Sequence, residues 1–378
     1  MRPSQGRAGA RMEARVLVLG GDGIGPEVAD CGAALLRAVA AEAGITLRLE
    51  HDLLHGAAYD VHGTFCRDET LALAQTCDAV IVGAVGGPRW DGIVMPGGPE
   101  MQDGLMRLRA GLETYAGLRP ARARPALAGQ TPFRGGHLDG ADIMVLREMC
   151  GGVYFAPERG IGIGPDGVEY GHDTTRYAAP EIARIAHAGF ALARLRRGRL
   201  ASVDKANVMQ TGVLWRQVVA AIGRTDYPDV TLAHVYADNA AYQLMRDPRQ
   251  FDVILADNLF GDILSDLAGV IAGGLGTLPS ASLNGRPGQA QNGPGIYEAV
   301  HGSAPDIAGR GIANPVGTLL SVGMLCEHAL GRPDLAVRID AAVEAVLAAG
   351  IRTPDIGGAS TSADVTRAVI DRYRGAPE

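Results

Sequence analysis

Short apolar runs alternate along this chain with stretches in which apolar side chains return every three or four positions. Val16-Leu-Val-Leu19, set between Arg15 and Gly20, has the length and branching of a buried strand. Gly21-Asp-Gly-Ile-Gly25 follows as a turn. Pro26 then stands where a helix would open, with Val28, Leu35, Leu36 and Val39 on its apolar side and Gly44 past its end. Thr46 to Glu50 reads as a strand, Asp68 to Gln75 as a helix, and Asp78-Ala-Val-Ile-Val-Gly83 as a further buried strand. This rhythm predicts an α/β fold with a mostly parallel sheet covered on both faces. Beyond it the pattern predicts a helical stretch from Gly104 to Ala116, a Pro-, Gly- and Arg-rich loop or crossover from Ala121 to Asp139, and a strand from Asp142 to Arg147. A long helix is expected from Pro180 to Arg197, then strands at Leu200 to Val203, Val230 to Tyr236 and Phe251 to Leu255, each followed by a helical pattern.

The 378 residues allow two or three domains, and 47% hydrophobic with 20% charged residues is ordinary globular composition. No apolar run approaches the ~18 residues of a spanning helix, so no membrane partner is expected. A formal net charge of -7 lacks the basic footprint of a nucleic-acid binder. Small-molecule chemistry is the better expectation. The five cysteines are an odd number without a CxxC pair, which argues against a disulfide framework or zinc site and for a reducing cytoplasm. Residues 1–14 read as a disordered extension.

Lysine and arginine total 35, and Lys205 is the one lysine among them. On most solvated surfaces the two are interchangeable, but only lysine can give up its proton, so a titratable base cannot be replaced by arginine. Asp262 and Asp266 stand at i and i+4, on one helix face, where like charges repel unless something such as a hard divalent cation offsets them. Arg109, Arg119 and Arg147 carry forks suited to carboxylates. With Lys205 and Tyr154 they form a plausible set for acid/base and Lewis-acid chemistry. The Gly21–Gly25 turn fails the Rossmann G-x-G-x-x-G fingerprint, because its third glycine comes one position early, yet it can let a cofactor approach the backbone. A cluster of Arg194, Arg196, Arg197 and Arg199 at a helix end is read as complementing the helix dipole rather than as a phosphate site.

Gly21-Asp-Gly-Ile-Gly-Pro-Glu27, Gly86-Gly-Pro-Arg-Trp-Asp91, Leu118-Arg-Pro120, Arg147-Glu-Met-Cys-Gly-Gly-Val-Tyr-Phe155, Ser202-Val-Asp-Lys-Ala-Asn-Val208, Asn258-Leu-Phe-Gly-Asp-Ile-Leu-Ser-Asp266 and His301 to Asn314 carry a family resemblance. The chain resembles the β-decarboxylating hydroxyacid dehydrogenases, the family of isocitrate, isopropylmalate, homoisocitrate and tartrate/D-malate dehydrogenases. It is most similar to the isopropylmalate branch. The segments run in family order over nearly the whole chain after Arg15.

The resemblance implies two α/β domains around a cleft rather than a Rossmann fold: residues 15–114 plus 274–378 as a cofactor-side domain, residues 115–273 as a substrate and dimerisation domain. It implies a homodimer with shared sites, in which Lys205 and Asp238 come from the second copy. Arg109, Arg119 and Arg147 would hold the substrate carboxylates, and Leu105, Met106 and Val208 its alkyl group. Asp238, Asp262 and Asp266 would hold Mg²⁺ or Mn²⁺. Lys205 would act as general base, with Asp238 beside it, and Tyr154 would help to protonate the enol. NAD would lie against Ile24, His301, Gly302, Ser303, Ala304, Asp306 and Asn314, with Asp306 favouring NAD over NADP by repelling a 2′-phosphate. The implied reaction is oxidative decarboxylation of 3-isopropylmalate to 4-methyl-2-oxopentanoate and CO₂, as in leucine biosynthesis. Gln102 where that branch usually has Glu, Ala110 where Lys is common, and a longer loop from Asn284 to Tyr297 keep open another 3-alkyl- or arylalkyl-malate, or tartrate or D-malate. A catalytically idle metabolite-binding protein is the more distant alternative.

Overall fold

The structure is a computed structural model that describes residues 13–375. Most of the expected N-terminal extension lies outside the described residues; its last two positions, Glu13 and Ala14, already belong to the first strand. The elements follow in chain order as β1 (Glu13–Gly21), α1 (Gly25–Glu42), β2 (Thr46–Asp52), α2 (Gly56–His62), α3 (Asp68–Thr76) and β3 (Ala79–Ala84). Next come α4 (Gly104–Gly111), β4 (Ala116–Arg122), β5 (Asp142–Glu148), β6 (Arg159–Ile163), β7 (Glu169–Asp173), α5 (Ala179–Leu195), β8 (Arg199–Asp204) and α6 (Gln210–Asp226). The chain closes with β9 (Thr231–Tyr236), α7 (Ala237–Arg246), β10 (Val253–Ala256), α8 (Asn258–Ala272), β11 (Pro279–Leu283), β12 (Gly295–Ala299), α9 (Val316–His328), α10 (Pro333–Ala348) and α11 (Ser362–Arg374). Among the described residues no helix is long and apolar enough to cross a membrane.

One ten-stranded sheet runs through the molecule in the order β2-β1-β3-β12-β11-β4-β5-β10-β8-β9. The ladders on either side are parallel, as the alternating pattern predicts, but β12-β11, β11-β4 and β4-β5 are antiparallel. The seam falls where the sheet passes from strands supplied by both ends of the chain to strands supplied by its middle. β3 is buried along its whole length, the signature of a parallel strand covered on both faces. α9 is buried on almost every side, which explains its weak amphipathic pattern. At the far end of β4, Arg124 reaches Asp340 and Glu344 of α10, at 2.5 and 2.8 Å.

The helix expected from Gly104 to Ala116 stops at Gly111, because Glu113 takes φ 51 and Ala116 enters β4. The crossover expected from Ala121 begins later for a related reason: β4 continues through Pro120 to Arg122. β11 pairs with β4 only as far as Leu118, so Pro120 sits where the strand has an open side and its missing N–H costs little. The β6-β7 hairpin lies outside the main sheet and was not anticipated; Ile161 and Ile163 are 79% and 74% exposed there. The arginines at the end of α5 are held by ion pairs, Arg194 to Asp229 and Arg196 to Asp142 and the buried Asp252, so their partners are carboxylates rather than the helix dipole alone.

The start of α1 lies against β3 with no room for side chains. A Cβ at Gly83 would collide with the carbonyl oxygens of Gly20 and Gly25. This close approach holds the Gly21–Gly25 turn at the carboxyl end of β1. Gly83→Ala is expected to lower the unfolding free energy by about 3 kcal/mol or more, because the obstacle is backbone and cannot rotate away. Urea unfolding monitored by circular dichroism checks this, and an unchanged midpoint would show that α1 can shift.

Candidate active site

The antiparallel pair β4-β5 sets the first two arginines. Arg147 stands opposite Gly117, so Arg119, two residues along the same strand, shares its face. Both point at α8, whose first turn approaches closely enough that a Cβ at Gly261 would meet the Arg147 side chain. α8 is capped at its N-terminus by Asp257, which accepts from Phe260 N–H at 2.8 Å, and it ends in a left-handed Gly273. Its face presents Asp262 and Asp266 together, as their spacing predicts.

Asp262 is the meeting point. Arg119 Nη1 donates to its Oδ1 at 3.2 Å, Arg147 Nη1 donates to the same oxygen, and Tyr154 Oη donates to Oδ2 at 3.2 Å. Arg119 also donates to Ser265 Oγ at 2.7 Å and lies 3.9 Å from Asp266. Burial, together with repulsion from Arg119, brings the Arg147 guanidinium down to about 9 despite Asp262. Burial likewise lowers Arg119, with Asp262 opposing and Arg109 adding to the effect. Arg109 approaches from α4 and is held by Glu298 of β12 at 2.6 Å. Nε of both Arg109 and Arg119 is buried without a partner, so donors remain for a ligand. Burial and the neighbouring Asp262 raise Tyr154, which keeps its hydroxyl protonated at neutral pH.

Residues that sequence reasoning did not single out hold this arrangement. Asn258 Oδ1 accepts from Arg147 Nε and Nη2 at 3.0 and 2.7 Å, and its Nδ2 donates to Gly151 O at 2.9 Å. Glu148, fully buried, accepts from Cys150 N–H, Gly151 N–H and Arg184, and so folds the turn that carries Tyr154. Both lie inside segments that carry the family resemblance, but apart from the charged and phenolic side chains nothing in their residue type marked them.

Lys205 follows β8 and pairs with Asp238, at the start of α7, at 2.5 Å. That bond holds the Asp238 carboxyl below its ordinary range. Among the described residues no hydrogen bond or ion pair joins this pair to the Asp262 group, and no three His, Cys, Asp or Glu side chains gather where they could hold a metal. One chain brings Tyr154, Arg119, Arg147, Asp262 and Asp266 together, while Lys205 and Asp238 pair with each other outside that bonded group. Val208 goes with the Lys205 segment and is 72% exposed. Leu105 is buried among Leu54, Leu108 and Leu112, while Met106 is half-buried. Gln102 is turned back on its own loop, accepting from Met95 N–H at 2.9 Å and donating to Met95 O at 2.7 Å.

The hard oxygens of Asp262 and Asp266 suit a divalent cation, and Asp266, whose side chain is 55% exposed, has capacity to spare. Two carboxylates on one helix are an incomplete set, so a third would have to be brought by another segment. At the carboxyl end of β1, Ile24 N–H donates to Ser303 O at 2.8 Å, and a Cβ at Gly23 would collide with that carbonyl. Ile24, Ala304, Ile307 and Ala313 form a small apolar cluster beside it. His301 is half-buried, and desolvation lowers its imidazole and favours the neutral form, with Nδ1 on Gly302 O at 2.9 Å and Nε2 without a partner. Ala304 takes φ 37, Asp306 is exposed, and Asn314 donates to Asp355 at 2.9 Å. An unpaired ring nitrogen, an apolar floor and an exposed carboxylate fit an adenine nucleotide.

Residues 15–371 match the family described as Isocitrate/isopropylmalate dehydrogenase. The 3-isopropylmalate dehydrogenase of Methylococcus capsulatus is 47% identical, over 95% of this chain and 98% of that protein. That of Cereibacter sphaeroides is 49% identical, over 91% and 92%. Among solved structures, isocitrate dehydrogenase from Methylococcus capsulatus aligns with a TM-score of 0.83 and 30% identity, covering 96% of this chain and 99% of the other. A beta-decarboxylating dehydrogenase from Thermococcus kodakarensis in its apo form aligns with a TM-score of 0.75 and 34% identity, covering 96% of each.

Burial raises the Asp257 carboxyl to about 6, against the opposing pull of Phe260 N–H and Arg147. A raised carboxyl favours the folded state below the ordinary carboxylate range, and that advantage is lost as pH climbs through about 6. Asp257→Asn keeps an acceptor for the helix cap and cannot ionise. Between about pH 4 and pH 6.5 the wild type is expected to lose roughly 1–2 kcal/mol relative to D257N, read from urea unfolding at each pH. Parallel curves would place the titration elsewhere.

Proposed function

The chain belongs to the isocitrate/isopropylmalate dehydrogenase family, and we propose that it oxidises and decarboxylates 3-isopropylmalate with NAD as hydride acceptor, a step of leucine biosynthesis. The observation that carries this reading is the convergence of Arg119, Arg147 and the Tyr154 hydroxyl on Asp262, with Arg109 within electrostatic reach. Such a set recognises a compact polycarboxylate and offers it a proton.

Arg109, Arg119 and Arg147 bind the two carboxylates of the malate backbone through their guanidinium charge and planar forks. Asp262 and Asp266, joined by Asp238 of a second copy, would hold Mg²⁺ or Mn²⁺. When bound, the cation polarises the C2 oxygen and the nicotinamide accepts the C2 hydride. Lys205 Nζ of the second copy takes the C2 hydroxyl proton. Loss of CO₂ from the β-keto acid leaves an enol, and Tyr154 Oη supplies a proton towards its carbon. Ile24, His301, Gly302, Ser303, Ala304, Asp306 and Asn314 line the nucleotide. Asp306, exposed on that loop, disfavours a 2′-phosphate.

A homodimer supports this division of labour. Within one chain Lys205 and Asp238 pair with each other rather than with Asp262, and the apolar Ile161 and Ile163 of β6 are uncovered. We read residues 15–114 plus 274–378 and residues 115–273 as two domains, divided at the antiparallel seam. Five free thiols support a cytoplasmic setting. A second reading, another 3-alkyl- or arylalkyl-malate, is favoured by Gln102, whose amide is committed to Met95 and so presents no carboxylate near the substrate end of α4.

NADH formation across a panel of 3-substituted malates with Mn²⁺ tests both. The isopropyl compound is expected to give the highest kcat/KM, and a flat trace across the panel would sink the assignment. Lys205→Arg keeps the charge but cannot release a proton, so kcat is expected to fall by ~10²–10⁴-fold. Turnover of K205R at the wild-type rate would exclude the lysine as base. Adding EDTA is expected to abolish turnover and excess Mn²⁺ to restore it.

A further inference from the structure

Two segments distant in sequence, the Gly21–Gly25 turn and the N-terminus of α4, meet at one imidazole. The His55 side chain is 8% exposed, with Nδ1 2.8 Å from Asp22 Oδ2 and Nε2 3.4 Å from Asp103 Oδ2. Its ring stacks on Phe65 at 4.7 Å and meets the edge of Trp90 at 6.4 Å.

Each carboxylate also organises backbone. Asp22 accepts from the N–H groups of Gly56, Ala57 and Gly86 at 3.2, 2.8 and 2.8 Å. Asp103 caps α4 by accepting from Met106 N–H at 2.8 Å. His55 stands at φ 54, ψ −127, a conformation that a residue with a Cβ rarely adopts. Strain of this kind persists where the surroundings over-determine it, and here the ring is gripped at both nitrogens while the backbone N–H of His55 donates to Phe65 O at 2.6 Å.

Two anions face the ring, Asp22 from the β1-α1 turn and Asp103 from α4; Phe65 and Trp90 bring no charge, and Arg109 acts on Asp103 from further along α4. Burial alone would lower the imidazole, but the two carboxylates outweigh it and raise it to about 9, so both ring nitrogens donate at neutral pH.

We propose that His55 is a positioning residue that locks the nucleotide-facing Gly21–Gly25 turn to the helix bearing Arg109, fixing the separation of nucleotide and carboxylate substrate. The inference rests on the reading that Ile24 borders NAD and Arg109 holds a substrate carboxylate. The clamp itself is physical and can be measured without substrate.

Two variants separate the clamp from bulk stability. His55→Asn is neutral and too short to span both carboxylates. Asp103→Asn keeps an acceptor for the α4 cap and removes the anion. In both, hydrogen exchange on the full chain is expected to quicken by about tenfold or more at residues 22–25 and 104–106 together, with the β3 core unchanged. Turnover is expected to fall by ~10–100-fold at neutral pH with the KM for NAD little altered. The deficit should then shrink as pH passes about 9, where the wild-type imidazole itself loses its charge. Unchanged exchange at either segment, or a turnover deficit independent of pH, would overturn the proposal. A wild type inactive on every malate, with exchange coupled as expected, would instead leave the clamp in place and defeat the reading of function.

Discussion

Two buried guanidinium groups that repel each other share one carboxylate, and the site is built around that balance. Arg119 and Arg147 are almost wholly removed from water, and burial together with a neighbouring guanidinium, Arg119 for Arg147 and Arg109 for Arg119, weakens the hold of each on its proton. Asp262 meets both, and the Tyr154 hydroxyl too, so among the described residues its removal would take from Arg147 its one ion-pair partner and leave Arg119 only the more distant Asp266. The rest of the local structure serves this one carboxylate. β4 and β5 bring the arginines to one face, Gly261 lets α8 come close, and Asn258 takes the remaining forks of Arg147. Asp266 is left comparatively free, which is what a cation ligand needs.

Much of this was legible in the sequence, for identifiable reasons. The i, i+4 carboxylates share a helix face because helical geometry requires it. The buried strands β1 and β3 announce themselves by continuous apolar runs bounded by glycine. Lys205 stood out through arginine's use everywhere else, and the structure pairs it with Asp238.

What escaped was set by tertiary context. The antiparallel seam has no local signal, because β11 and β12 are short and rich in small residues. Pro120 argued for a break, yet lies in a strand, since the pairing on one side ends two residues earlier. Glu148, Asn258 and Tyr177 are invisible as a network because their partners are scattered over more than a hundred residues. His55 was passed over because a lone histidine beside a glycine carries no pattern; its two carboxylates belong to other elements.

The sheet order also bears on synthesis. β3 has β1 on one edge and β12 on the other, and β12 begins at Gly295. Until the ribosome has made most of the chain, the wholly apolar β3 presents a bare edge of unpaired peptide groups, a template for association with other nascent chains. Completion of the amino-terminal half thus waits on translation of distant codons, and chaperone demand during that interval is built into the order of the strands.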